Sequence, residues 1–300
     1  MFIRSASLIP CLLTLLLVVA SSISHAQDRA YPPKFKGAKE QTYREVDGVK
    51  LSCWIIEPKM HAASDKKPCI LFFFGGGWTS GTPSQFVNQA QHFAERGMVA
   101  ILCDYRVASR HKVAPAECVS DARAAVAWTK SQADKLGVDP SKIVVAGGSA
   151  GGHLAACCGT LPTDAKELPA AMILFNPALI TAPVDGKFEI SEARAKGLFA
   201  RFGKDPAKLS PYHHIRKELP PTLILHGKAD STVPYASVEL FTEAMKSAGN
   251  RCELVGYDDA AHGFFNYGRG DNAAYRATLT RADEFLVSLQ LLSPPKGADK

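Results

Sequence analysis

Apolar runs alternating with helical stretches after an opening hairpin predict an α/β domain, with a mostly parallel central sheet covered by helices on both faces. Three observations carry that prediction. Asp47-Gly48 lies between Thr42 to Val46 and Val49 to Ile56, a two-residue hairpin signal. Short runs that are apolar throughout, such as Cys69 to Phe74 (CILFFF), recur along the chain, as strands covered on both faces require. Between them lie helical stretches closed by glycine, the residue that most readily ends a helix.

Taken in order, Gln27 to Glu40 is a polar lead-in and His61 to Lys67 a polar loop. After CILFFF and a glycine-rich loop, a helix is expected over Ser84 to Arg96, ended by Gly97, and a buried strand over Met98 to Cys103. A long helix from Pro115 to Leu136 stops at Gly137 and leads into a strand at Ile143 to Ala146. Ala170 to Phe175, Pro221 to His226 and Cys252 to Tyr257 read as further strands, with helices over Tyr235 to Ala248 and Ala273 to Leu292. No strand pattern occurs from Asn176 to about Arg216, so residues 177–216 read as an inserted cap with one helix at Ile190 to Phe202. The domain therefore spans residues 42–292, followed by a polar tail at 293–300.

At 300 residues, 46% hydrophobic and 21% charged, the chain suits one large globular domain. Met1 to Ala26 has a basic residue, Arg4, an apolar run from Ile9 to Ala20, and Ser24-His25-Ala26 before the expected cut. It reads as a signal peptide cleaved after Ala26, which implies a secreted or periplasmic protein. The run is short for a membrane span, so a permanent anchor is not expected. Losing Arg4 lowers the net charge from +6 to +5, with no basic clusters, and nucleic acid is not an expected partner. Of eight cysteines, Cys11 leaves with the signal and seven remain, an odd number. Most read as core filler, with a single bridge involving Cys53 or Cys252 left open.

The chemistry centres on Lys142 to Leu154, KIVVAGGSAGGHL, where a strand breaks into glycines around one serine. Gly147-Gly148-Ser149-Ala150-Gly151 fits G-x-S-x-G, a sharp strand-to-helix turn that lifts a serine hydroxyl above the sheet edge. Its neighbours at minus two and plus two, Gly147 and Gly151, need to lack a Cβ. The Ala150 N–H, at a helix N-terminus, is aimed at a negative oxygen. A serine hydroxyl is a weak nucleophile at neutral pH and needs a histidine to take its proton and an acid to hold that histidine. Asp230 follows one strand in the turn HGKAD and His262 follows the last strand, giving the order Ser149, Asp230, His262. Asp258 and Asp259 are rival acids that read as solvated loop charges. His153 reads as a satisfied core group, His226 as a strand end facing the Asp230 turn, and His213 and His214 as residues bordering the pocket. Gly76 and Gly77, in the loop after CILFFF, are assigned with Ala150 as oxyanion donors.

With these motifs in place the chain resembles the α/β-hydrolase family, in particular the esterases and lipases related to hormone-sensitive lipase and the bacterial bifunctional carbohydrate and feruloyl esterases. The resemblance runs from about Tyr43 to Leu292 and rests on Gly75-Gly76-Gly77-Trp78, Asp104-Tyr105-Arg106, GGSAGG, HGKAD and His262-Gly263-Phe264. It implies the α/β-hydrolase fold, structural roles for Asp104 and Arg106, and hydrolysis of carboxylic esters without a metal or organic cofactor. It departs from the family at Phe74, where relatives usually carry histidine before the three glycines. Together with export, it implies short-acyl or aryl esters, including esters on carbohydrates. A peptidase of the prolyl-oligopeptidase type and a non-catalytic binding protein on the same fold are the alternative readings.

Overall fold

Strand β1 (Lys39–Val46) and strand β2 (Val49–Ile56) pair antiparallel across Asp47-Gly48, both at positive φ, in the computed structural model, which describes residues 31–162 and 164–295. A register shift between Thr42 and Arg44 accommodates Tyr43, which is buried with its hydroxyl donating to the Asp104 carbonyl at 2.7 Å. The signal segment expected at Met1 to Ala26 lies outside the described residues.

Strand β3 (Lys67–Phe73) is buried throughout from Cys69 onward. Beyond the glycine loop, Thr82 caps a 3₁₀ turn, Pro83–Phe86, which feeds helix α1 (Val87–Glu95). The expected helix thus begins with a tighter turn, because Pro83 at its start lacks an N–H and the Thr82 hydroxyl takes the Ser84 amide. Strand β4 (Val99–Cys103) is followed by the short helix α2 (Ala108–His111). The long helix expected from Pro115 to Leu136 is two helices, α3 (Pro115–Ser131) and α4 (Ala133–Leu136), parted at Gln132; Gly137 in the left-handed region ends the second.

Strand β5 (Val138–Gly148) leads through Ser149 into helix α5 (Ala150–Thr160), every residue of which is buried. Strand β6 (Ala171–Phe175), strand β7 (Thr222–Gly227), helix α7 (Tyr235–Ser247), strand β8 (Cys252–Tyr257) and helix α8 (Ala273–Ser288) complete the alternation. Between β6 and β7 the cap holds helix α6 (Glu192–Arg194), a wide π turn at Ala195–Phe199 and a 3₁₀ turn at Ala200–Phe202, not one regular helix. Helix α8 stops at Ser288, four residues before the expected end. Gln290 takes positive φ, and Leu291 and Leu292 fold back so that both amides donate to the Leu286 carbonyl.

Among the described residues the eight strands form one sheet in the order β1-β2-β4-β3-β5-β6-β7-β8, with β1, β2 and β4 antiparallel neighbours and all other pairs parallel. The chain enters the centre at β3, moves outward to β4, then crosses back to β5 and proceeds to β8. The order therefore reverses between β3 and β5, the crevice where doubly wound sheets bind ligands. Leu71, Phe73, Val145 and Leu174 pack on one face beneath α3, α5 and α7. Ile70, Phe72, Val144 and Ile173 pack on the other beneath α1 and α8.

All seven described cysteines are buried free thiols, so the bridge left open at Cys53 or Cys252 does not form. Cys53 pairs in register with Cys103 within the sheet, and burial pushes its thiol up to about 12. Among the described residues no helix is long and apolar enough to cross a membrane.

Candidate active site

Ser149 sits between β5 and α5 with φ 54° and ψ −118°, a strained conformation for a residue with a Cβ. Close packing enforces the flanking glycines. A Cβ on Gly151 would lie 2.0 Å from the Phe73 carbonyl oxygen, and one on Gly147 would lie 2.3 Å from the Gly151 oxygen. Even Gly148, outside the two motif glycines, would meet Phe265 Cζ at 2.6 Å.

The structure brings Ser149, Asp230 and His262 together from the ends of β5, β7 and β8. His262 Nε2 lies 2.9 Å from Ser149 Oγ, and His262 Nδ1 lies 2.7 Å from Asp230 Oδ2. Asp230 Oδ1 accepts the Thr232 and Val233 amides, both at 2.8 Å. Burial opposes the Asp230 charge, but His226, His262 and the Val233 amide together hold the carboxyl well below the usual carboxylate range. An ionised Asp230 places the ring proton on His262 Nδ1, which leaves Nε2 to accept the serine hydroxyl. The His262 side chain is 25% exposed, so the pair opens to solvent.

The rival groups fall elsewhere. Asp258 pairs with Lys228 at 2.7 Å on the surface, and Asp259 is exposed in a left-handed turn. His153 is fully buried; its Nδ1 accepts the Trp78 indole N–H at 3.1 Å, so Nε2 donates to the Leu209 carbonyl at 2.7 Å. Burial lowers its pKa to about 4, and it stays neutral at pH 7. His213 and His214 bind cap carbonyls, at Pro183 for the first and at Ala207 and Lys208 for the second.

The glycine loop lies against the serine turn, with a Cβ on Gly75 placed 2.9 Å from the Gly148 oxygen and 3.3 Å from Ser149 Cβ. Gly75 donates its N–H to Gln85 Oε1 at 2.6 Å. Gly76 is exposed at φ 129°, and the half-buried Gly77 has its carbonyl held by Arg201 of the cap at 2.6 Å. Ala150 is the first residue of α5, where its amide has no carbonyl within the helix to meet. Phe74 is buried and stacks on Tyr105, ring centroids 4.1 Å apart, while the Tyr105 hydroxyl donates to the Phe74 carbonyl at 2.7 Å.

Two further groups touch this constellation, one of which, Asn176, escaped the sequence reading. Asn176, buried at φ 35° just past β6, accepts the Gly263 amide on Oδ1 at 3.0 Å and so fixes the residue after His262. Its Asn-Pro dipeptide is a turn signal that could have flagged it. His226, read as a strand end facing the Asp230 turn, does lie behind the acid: Nε2 is 3.3 Å from Asp230 Oδ2 and 3.0 Å from the Val233 carbonyl. Both neighbours are acceptors, so Nε2 carries the proton.

A mostly parallel sheet with a serine turn at its switch point, an acid after the next-to-last strand and a histidine after the last define an α/β hydrolase. The chain belongs to that family: the family described as an α/β-hydrolase fold matches residues 70–266. Esterase 2 of Thermogutta terrifontis, phosphonylated by sarin, superposes with a TM-score of 0.85 at 50% identity, covering 89% of this chain and all of that one. The same esterase with butyrate bound gives 0.83 at 51% identity over 89% of this chain and 99% of the other. Among curated proteins, esterase LipC of Mycobacterium tuberculosis is 30% identical over 66% of this chain and 53% of its own length. Carboxylesterase NlhH of the same organism is 29% identical over 71% and 72%. The chain spans about half the length of the first three curated relatives.

Proposed function

We propose that the protein hydrolyses carboxylic esters of small acids through an acyl-enzyme. The observation that carries this is the unbroken chain Asp230–His262–Ser149, with contacts of 2.7 and 2.9 Å. In this reading Ser149 Oγ attacks the ester carbonyl while His262 Nε2 takes its proton. The carbonyl π electrons move to oxygen, where the Gly76, Gly77 and Ala150 amides hold the oxyanion. Collapse expels the alcohol, which takes the proton from His262, and water activated by the same nitrogen then releases the acid. Asp230 stays ionised and orients the ring.

A short acyl group is supported by a cavity of about 50 Å³ lined by Ala178, Ile180, Phe188, Ile190, Phe199 and Val233. Two of its wall residues adjoin the constellation through the backbone: the Ala178 amide donates to the Ser149 main-chain carbonyl at 3.4 Å, and the Val233 amide to the Asp230 carboxylate. Since one water needs at least about 10–15 Å³ of such space, the cavity takes about three to five waters, the bulk of a short acyl chain. The esterase 2 structures with propionate and butyrate bound support the same range. The alcohol is unconstrained by the cavity, so small alcohols and carbohydrate hydroxyls both fit the proposal, as does export directed by Met1 to Ala26. A p-nitrophenyl ester series tests it: kcat/KM should peak at C2 to C4 and fall beyond. A maximum at C8 or longer, or turnover surviving in Ser149→Ala, would overturn it.

A further inference from the structure

Between the glycine loop and the histidine loop runs a chain of side-chain amides to which neither the motifs nor the proposed mechanism gives a part. Gln85, in the 3₁₀ turn before α1, accepts the Gly75 amide on Oε1 at 2.6 Å and donates from Nε2 to Asn266 Oδ1 at 3.0 Å. Asn266 Nδ2 then donates to the Gly263 carbonyl at 2.8 Å, and the Gly263 amide donates to Asn176 Oδ1. Gln89, one turn beyond Gln85, reaches the same loop through its Nε2 contact with the Phe265 carbonyl at 3.5 Å.

We propose that Gln85 and Asn266 are positioning residues that tie the oxyanion loop to the His262 loop, setting the distance between the group that binds developing charge and the group that moves the proton. The inference rests on the esterase reading above.

The relay has one satisfied orientation. It begins at a backbone donor, the Gly75 N–H, and ends at a backbone acceptor, the Gly263 carbonyl. Gln85 must therefore present oxygen to the first, and Asn266 must present nitrogen to the last. Turning either amide would set N–H against N–H or oxygen against oxygen. The tie also connects segments 181 residues apart that the sheet alone does not join, since one follows β3 and the other follows β8 at the edge. Misplacement of a reacting group by about 1 Å can cost on the order of a hundredfold in rate. A tie of this kind acts on kcat and not on substrate affinity, because it contacts neither acyl nor alcohol.

The test uses p-nitrophenyl butyrate with Gln85→Met and Asn266→Leu, which keep approximate shape and remove the polar ends, together with the double variant. Each single change should lower kcat by roughly tenfold or more with KM within about twofold. Because either change breaks the same chain, the double variant should be no worse than the poorer single variant, within about threefold. Effects that multiply in the double variant, or singles with wild-type kcat, would overturn the proposal. Gln85→Glu supplies a version that keeps the acceptor for Gly75: its second oxygen faces Asn266, whose amide must turn and set oxygen against the Gly263 carbonyl. A comparable fall in kcat is expected there, and unchanged kcat would count against the relay even if the apolar variants fail to fold. An inactive wild-type protein would refute the esterase reading itself, whereas an active one with indifferent Gln85 variants refutes only the positioning role.

Discussion

Asp230 keeps its charge in a buried position because two backbone amides and two imidazole rings converge on its oxygens. Its folded pKa lies below the value of about 3.9 expected in the unfolded chain. The stabilisation this brings is therefore complete above about pH 4 and is lost as pH falls through the folded value. Melting temperature measured from pH 5 downward should drop more steeply in the wild type than in Asp230→Asn. The same variant should lose roughly two to four decades of turnover, while Asp258→Asn, on the surface beside Lys228, should stay within a few-fold. Collapse in the second and not the first would move the acid to the last loop. Ser149→Ala should lose about six decades with an unchanged melt, and a serine-directed phosphonate should label Ser149 alone.

At the scale of elements, the glycine loop and serine turn are held by packing that leaves little slack. Gly151→Ala would drive a Cβ against the Phe73 and Phe74 carbonyls of the neighbouring strand end, so soluble expression or the melting temperature should fall sharply. Phe74→Ala removes a buried ring stacked on Tyr105 and should cost about 3–5 kcal/mol. Phe74→His should remain within roughly tenfold of wild-type turnover, because the proposed donors are backbone amides. A thousandfold loss in Phe74→Ala with an unchanged melt would instead make the ring part of the site. Strands such as Cys69 to Phe74 were legible because a run without polar residues can be satisfied only between two covering layers. The cap was not. Its apolar residues Phe199 and Phe202 are spaced like a helix but are drawn onto Trp78, with ring centroids 6.4 and 4.9 Å away, and that contact selects irregular turns over one helix. Ser149, Asp230 and His262 could be placed because each follows a strand in a short motif. Gln85 and Asn266 could not, since a polar tie across 181 residues leaves no periodic trace.

Across the whole molecule, an ionic cluster centred on the buried Asp121 locks the opening hairpin to the sheet's helical cover. Arg106 holds Asp121 through two contacts of 2.9 and 3.1 Å and Asp47 at 2.7 Å, while Arg44 of β1 reaches Asp121 at 2.8 Å. Asp121→Ala removes the buried partner of Arg106 and leaves it only the solvent-exposed Asp47, so it should destabilise by no more than the about 3–5 kcal/mol of a fully buried pair, read from denaturant midpoints, without altering the residual KM. The cap is fastened to the same domain: His153 of α5 binds the Leu209 carbonyl, and Arg201 holds the Gly77 carbonyl of the glycine loop. A cover stitched to the helix after Ser149 and to the glycine loop is not free to be prised open by an oil droplet. Its rate should climb hyperbolically with dissolved tributyrin and pass the solubility limit without a jump, the reverse of interfacial activation.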